Sequence, residues 1–314
     1  MSKIAFLFPG QGSQSVGMGA AFKDQNEQAG SIFRRADERL GFPLSKVIFE
    51  GPETELKLTE NTQPAILTAS LAAWEVFRET GIEADYTAGH SLGEYSALVA
   101  AGALSFEDAV YAVRHRGLYM EEAVPAGEGA MAAILGLEDA VLREIADSVT
   151  AEGESVDLAN LNAPGQIVIS GTAEGVRIAG DKASAAGAKR VLPLNVSGPF
   201  HSRLMKPAAD KFKQVLDEIE IRNAETPVIA NVTADEMKDA GMIYDNLLAQ
   251  MYSPVRWEET VRKLLDLGVD TFFEIGPGNV LCGLVKRVNR RAQAYPVNDP
   301  ESLEKALAKW KENA

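Results

Sequence analysis

Residues 88–95, Ala88-Gly89-His90-Ser91-Leu92-Gly93-Glu94-Tyr95, decide how this 314-residue chain is read. Ser91 is the centre of a Gly-x-Ser-x-Gly pattern. Strand-like Tyr86-Thr87-Ala88 precedes it and a helix-forming run from Leu92 to Ala101 follows. A strand turning sharply into a helix is the setting of a nucleophile elbow, in which the serine sits on a strained turn with Oγ above the sheet. Glycines two residues to either side are needed there, because a Cβ would collide with neighbouring backbone. The start of the helix offers N–H groups and the positive end of its dipole to a developing oxyanion. The bare pattern also occurs in ordinary glycine-rich turns; the flanking strand and helix favour a nucleophile.

Upstream of this stretch, Ile4–Phe8 is a continuous apolar run of the kind a buried parallel strand shows. Pro9-Gly10-Gln11-Gly12-Ser13-Gln14 then turns into a helix beginning near Gly17. The glycines invite a nucleotide-binding assignment, which fails: the third glycine of G-x-G-x-x-G falls at Ser15, and no Gly-Lys-Ser/Thr follows. What remains is a first βα turn with bare N–H groups. A long helix is expected over Thr62–Thr80, capped by Asn61 and Gly81. After the elbow, a helix starts at Ser105 with Asp108 as support, and Phe106, Ala109, Val110, Val113, Gly117, Met120 and Val124 form one stripe at ~100° per residue. Arg116 lies on the border of that stripe and His115 points away. An arginine at a core edge needs an anionic partner. An internal carboxylate and a bound ligand are equally open on this evidence.

From Gly129 the pattern changes. Gly129–Leu135 reads as a strand, Glu138–Val149 as a helix, Ser155–Leu161 and Gln166–Ser170 as strands, Ala173–Ala185 as a helix and Lys189–Leu194 as a strand. This βαββαβ order is the ferredoxin-like signature, here an insertion. The loop Asn162–Gln166 is expected to join its two central strands. The large domain resumes at Asn195-Val196-Ser197-Gly198-Pro199-Phe200-His201-Ser202. Strand Val228–Asn231, helices Gly241–Gln250 and Val255–Leu267, strand Thr271–Ile275, helix Asn279–Val288, strand Ala294–Val297 and helix Glu301–Lys311 follow. Alternating β and α elements imply an α/β fold with a mostly parallel sheet and helices on both faces. The expected division is 1–126 with 196–314 as the large domain, and 127–195 as the inserted subdomain.

Composition narrows the class. With 46% hydrophobic and 24% charged residues the chain is that of a globular protein, and a net charge of −14 argues against nucleic acid as a partner. Lys286, Arg287, Arg290 and Arg291 form a local basic cluster, either a solvated helix end or a docking patch for an acidic partner. The single cysteine, Cys282, excludes an internal disulfide and lies among apolar residues, as a small core side chain does. The N-terminal apolar run is too short for a signal segment, and no stretch approaches a membrane span, so a cytoplasmic location is expected.

Three histidines are available as a base for Ser91. His90 is adjacent and, on an elbow, directed elsewhere; His115 lies on a polar helix face. His201 stands in a Gly-Pro-bounded loop entering a new helix and is the remaining candidate. A hydrolase triad in this chain order requires an acid between Ser91 and His201 at a strand end, and no convincing one is found. A carbonyl can orient the imidazole instead, which suits thioester chemistry, where the leaving thiolate needs little proton donation.

Taken together, Phe8–Gln14, Gly89–Tyr95, Arg114-His115-Arg116-Gly117, Gly198–Ser202 and Glu274-Ile275-Gly276-Pro277-Gly278 resemble the malonyl-CoA:acyl carrier protein transacylases of type II fatty acid synthesis, over nearly the whole chain. The resemblance implies a hydrolase-like α/β core carrying a ferredoxin-like insert. It implies Ser91 as acyl-accepting nucleophile, His201 as base, and the backbone N–H groups of Gln11 and Leu92 as oxyanion hole. It further implies Arg116 on the malonyl carboxylate, the Gln250 carbonyl orienting His201, Asn162 near the substrate, and Phe200 crowding an α-methyl group. Malonyl-CoA and an acidic acyl carrier protein are the implied partners, with Lys189, Arg190, Lys286, Arg287 and Arg290 as the docking patch. No cofactor or metal is expected, and nothing suggests more than a monomer.

Three alternatives stay open on sequence alone. A serine esterase or phospholipase does not need Arg116 and does need an acidic triad member. A free-standing acyltransferase of a polyketide pathway is not told apart from one of fatty acid synthesis by this sequence. An acyl-binding protein with a vestigial elbow forms no covalent adduct.

Overall fold

The N-terminal apolar run becomes the third strand of a six-stranded sheet, and the parity of its side chains builds both cores of the large domain. Phe6 and Phe8 point into one, with Phe273, Ile275, Tyr295 and Val297; Ala5 and Leu7 point into the other, with Val269 and Phe272. A strand buried on both faces has no polar side, which is why it reads as an unbroken apolar run.

The computed structural model describes residues 3–125 and 127–313. The elements run β1 (Lys3–Phe8), α1 (Ala20–Gln25), α2 (Glu27–Leu40), α3 (Leu44–Glu50), α4 (Glu53–Leu56), α5 (Thr59–Arg78), β2 (Tyr86–Gly89), α6 (Gly93–Ala100) and α7 (Phe106–Glu122). Next come β3 (Gly129–Leu135), α8 (Asp139–Ala151), β4 (Val156–Ala163), β5 (Gln166–Thr172), α9 (Ala173–Ala185) and β6 (Arg190–Pro193). The chain then forms α10 (Lys206–Glu218), β7 (Val228–Ile229), β8 (Glu236–Met237), α11 (Ala240–Gln250), α12 (Trp257–Asp266), β9 (Val269–Ile275), α13 (Val280–Val288), β10 (Gln293–Val297) and α14 (Pro300–Asn313).

The large sheet has the order β10-β9-β1-β2-β7-β8, parallel except where β8 pairs antiparallel with β7. Helices α5 and α7 cover one face; α12 and α13 cover the other. The fold is α/β. The second sheet, β4-β5-β3-β6, is antiparallel throughout and packs α8 and α9 over its own core, which is the ferredoxin-like arrangement. Its strands and helices span 129–193; residue 126, where the first boundary is expected, lies outside the described residues. Among the described residues no helix is long and apolar enough to cross a membrane.

Several local expectations are corrected. Helix α5 begins at Thr59, with Leu58 rather than Asn61 at its N-cap, so Pro64 falls in its second turn and costs the helix the bond to the Glu60 carbonyl. Asn61 instead donates to the Glu55 carbonyl at 2.9 Å. Val255 is not helical: its N–H donates to Ala159 O at 2.8 Å and its carbonyl accepts from Leu161 N at 2.9 Å, tying β4 to the segment after Gln250. Residues 27–56, unassigned from sequence, form α2, α3 and α4, and the short strand β8 has no sequence signal.

Candidate active site

The elbow is made by backbone approaching backbone. A Cβ on Gly89 would lie 1.9 Å from Gly93 O, one on Gly93 would lie 2.2 Å from Phe8 O, and one on Gly10 would lie 2.4 Å from His90 O. Only glycine fits at these positions, so the β1 turn, the end of β2 and the start of α6 close on one another. Ser91, between them, has φ +53°, a left-handed conformation that a non-glycine residue adopts only when its surroundings enforce it. Asn231, just after β7, supplies part of that enforcement. Its Oδ1 accepts from Ser91 N at 2.7 Å, and its Nδ2 donates to Gly89 O at 2.7 Å.

His201 comes from the loop before α10 and also has a positive φ, +57°. Its Nε2 is 2.8 Å from Ser91 Oγ and its Nδ1 is 2.8 Å from the Gln250 carbonyl oxygen. A carbonyl only accepts, so Nδ1 carries the proton and the Nε2 lone pair faces the hydroxyl. Burial, followed by the nearby Arg116 cation, pushes the His201 pKa down to about 3. The ring is therefore a neutral acceptor across the physiological range. Among the described residues no carboxylate orients it.

Arg116 reaches the same point from α7, placed there by close helix packing. A Cβ on Gly117 would meet Glu60 Cα at 2.7 Å, so α7 lies directly against the start of α5. Pro64, lacking an N–H, leaves the Glu60 carbonyl free, and Arg114 Nη1 donates to it at 2.7 Å. Arg116 Nη1 donates to Gln63 Oε1 at 2.7 Å; its Nη2 donates to Ser91 Oγ at 3.1 Å and to Gln250 Oε1 at 3.0 Å. The side chain is 1% exposed, deeper than a stripe border suggests. Among the described residues no carboxylate lies within ion-pair distance of it, which disposes of the internal salt bridge. A guanidinium stays charged even when burial lowers its pKa. A buried cation with no ion-pair partner among the described residues, held by two neutral amides and the ring of Tyr95 beside a nucleophile, is a site for an anion.

Ser91, His201 and Arg116 open on one cavity of about 390 Å³, with Gln11 and His90 on its polar side and Phe200, Met120 and Met131 among its apolar walls. The N–H groups of Gln11 and Leu92 make no hydrogen bond among the described residues. Asn162 lies just behind the cavity wall: its Oδ1 is 2.8 Å from Nε2 of His90, which lines the cavity, as Asn160 also does. His90 packs on Trp257, and His115 turns back to Tyr111 O at 2.9 Å. Cys282 is buried and burial raises its pKa. Gln63 and Asn231 were not read from sequence; neutral amides carry no charge or spacing signal that would single them out.

The arrangement supports acyl transfer through a serine ester, with a fixed cation for a second acidic group on the acyl chain. The acyl transferase domain family matches residues 5–311. A Bacillus subtilis protein named malonyl CoA-acyl carrier protein transacylase is 61% identical over 99% of this chain and 98% of its own length. An acyl carrier protein S-malonyltransferase from Vibrio cholerae superposes with a TM-score of 0.94 at 47% identity, covering 97% of this chain and 99% of that one. A malonyl-transacylase solved in complex with its type II PKS acyl-carrier protein superposes with a TM-score of 0.95 at 47% identity, covering 98% of this chain and 100% of that one. The chain therefore belongs to the acyl transferase domain family.

Proposed function

We propose that the chain moves a malonyl group from malonyl-CoA to the phosphopantetheine thiol of acyl carrier protein through a malonyl-Ser91 ester, in two half-reactions. One observation carries this reading: Ser91 Oγ lies 2.8 Å from a neutral imidazole nitrogen and 3.1 Å from a buried guanidinium nitrogen that has no carboxylate partner among the described residues. The spacing suits a three-carbon diacid. Two C–C bonds of ~1.5 Å place its two carbonyl carbons about 2.5 Å apart, so the cation must stand next to the nucleophile.

In the first half-reaction the malonyl carboxylate takes the Arg116 fork and His201 Nε2 accepts the Ser91 proton. Oγ attacks the thioester carbon, the oxyanion is received by the N–H groups of Gln11 and Leu92, and the thiolate of CoA leaves. The departed thiolate then takes the proton from His201 Nε2 and leaves as CoA thiol. In the second half-reaction the neutral His201 takes the carrier thiol proton, sulfur attacks the ester, and Ser91 recovers its proton from His201 as its alkoxide leaves. A carbonyl behind the imidazole suffices because a thiolate leaves with little protonation. Phe200 in the cavity wall crowds an α-methyl branch. The reaction calls for no cofactor, and the chain acts as a monomer.

The acidic carrier docks on Lys189, Arg190, Lys286, Arg287 and Arg290. All five are exposed and none belongs to an ion pair among the described residues, although Lys286 Nζ donates to the Ala292 carbonyl. Reversing Lys286 and Arg287 to glutamate should raise KM for the carrier about tenfold and leave that for malonyl-CoA unchanged.

Intact mass after mixing with malonyl-CoA tests the main reading. A single malonyl adduct that is absent in Ser91→Ala and passes to acyl carrier protein is expected. Rapid release of free malonate supports a hydrolase instead, and absence of any adduct refutes both.

A further inference from the structure

Glu94 carries a carboxyl group into the first turn of α6, a helix whose other residues are all uncharged, and it is fully buried. Burial pushes that carboxyl up to about 7, against the pull of the Asn231 N–H, the Gln250 amide and the Arg116 cation. Its Oε2 accepts from Asn231 N at 2.9 Å and from Gln250 Nε2 at 3.0 Å; its Oε1 has no hydrogen-bond partner among the described residues. A proton, when present, sits on Oε1, so Oε2 remains an acceptor in both states.

Gln250 connects this carboxyl to the reacting groups. Its backbone carbonyl holds His201, its Nε2 also donates to Ser91 O at 3.0 Å, and its Oε1 accepts from Arg116 Nη2. A carboxamide can turn over about its last bond. Turned, Gln250 would set its oxygen against two acceptors, Ser91 O and Glu94 Oε2, and its NH2 against the donor-only guanidinium. Glu94 on one side and Arg116 on the other thus select a single orientation. Asn231, whose side chain clamps both ends of the elbow, is anchored through its backbone N–H to the same Glu94 oxygen.

We propose that Glu94 is a positioning residue for acyl transfer: by holding the Gln250 carboxamide and the Asn231 backbone it keeps Arg116 Nη2 at the separation from Ser91 that a three-carbon diacid thioester needs. The proposal rests on the malonyl-transfer reading above. Glu94 touches no substrate; it acts through Gln250.

The test compares Glu94→Leu with Glu94→Gln, whose Oε1 can accept both hydrogen bonds. Rates of Ser91 acylation by malonyl-CoA and by acetyl-CoA are followed by intact mass, with Tm recorded for each variant. Glu94→Leu should slow malonyl acylation about 30–100-fold and acetyl acylation less than about 5-fold, since only the former uses the clamp. Glu94→Gln should restore most of the malonyl rate. Equal losses for both thioesters, or a glutamine variant as poor as leucine, overturn the proposal. If Glu94→Leu does not fold, Glu94→Asp takes its place. Aspartate keeps the charge but stops one methylene short, so it should lose malonyl preference where glutamine keeps it, and the reverse order overturns the proposal. A wild type that forms no malonyl adduct sinks the transfer reading and this proposal with it; a working wild type whose variants keep its preference sinks the proposal alone.

Discussion

Replacing Arg116 with alanine isolates the clamp, and the structure sets the size of the effect. The wild-type guanidinium is buried, tied by one nitrogen to Gln63 and by the other to Gln250 and Ser91. In the variant a malonyl carboxylate would enter the same enclosed cavity with no cation to receive it. Breaking a buried ion pair by removing one partner costs about 3–5 kcal/mol. At ~1.4 kcal/mol per factor of ten, malonyl acylation of Ser91 should fall roughly 10²- to 4 × 10³-fold in kcat/KM. Acetyl-CoA brings no carboxylate. It loses only the donor near Oγ and some order in Gln250, so a decrease below about tenfold is expected, of the size of one neutral hydrogen bond. The assay is single-turnover acylation followed by intact mass with each thioester, with Tm as a control for folding. Arg116→Lys should recover little, because a point charge on a shorter reach cannot present the fork. Equal losses for both thioesters, or a variant that still prefers malonyl, would refute the idea that this cation selects the substrate.

Three further outcomes follow from the same geometry. With the His201 pKa held near 3 against an ordinary value of 6.5, the base is already neutral at mildly acid pH. The kcat/KM for acylation should then show no fall as pH drops through 6.5, and a limb there would refute the depressed imidazole. The linkage has the matching sign: the unfolded chain takes up a proton below pH 6.5 that the folded one refuses, so this contribution to stability is present above 6.5 and lost as pH falls towards about 3. Gly93→Ala should destabilise by more than ~3 kcal/mol in denaturant unfolding, because its Cβ would lie 2.2 Å from Phe8 O; helix propensity alone predicts about 1 kcal/mol of stabilisation instead. Succinyl-CoA, one methylene longer, should acylate Ser91 at least ~30-fold more slowly than malonyl-CoA, since the cation stands only 3.1 Å from Oγ. Comparable rates would mean the clamp does not measure chain length.

Much of the fold is legible because it is encoded locally. The βαββαβ order of the insert and the alternating elements of the large domain show in runs of a few residues, where burial on one or both faces sets the period. Within residues 27–56, α2 does carry local signals, a 14-residue apolar stripe with an Asn26 cap and a Gly41 stop, whereas α3 and α4, of 7 and 4 residues, are too short for a stripe and rest on packing against α5. Val255 misled because its apolar side chain continues a helical period, yet its backbone is bound to β4.

The elbow was decided by sequence alone. Its glycines and serine fall within five residues, and the clash that demands Gly89 is with Gly93 O in the same motif, although Gly93 is itself hemmed in by Phe8 O from β1. The identity of the motif residues likewise pointed to His201 and Arg116. Whether Arg116 finds an internal carboxylate could not be read there, since the answer depends on how α7 lies on α5 through Gly117, and on what stands opposite. Tertiary structure also decided the roles of Gln63, Glu94 and Asn231. Their partners are brought together across separations of 53, 137 and 140 residues, and a single chain carries no local trace of so distant a hydrogen bond.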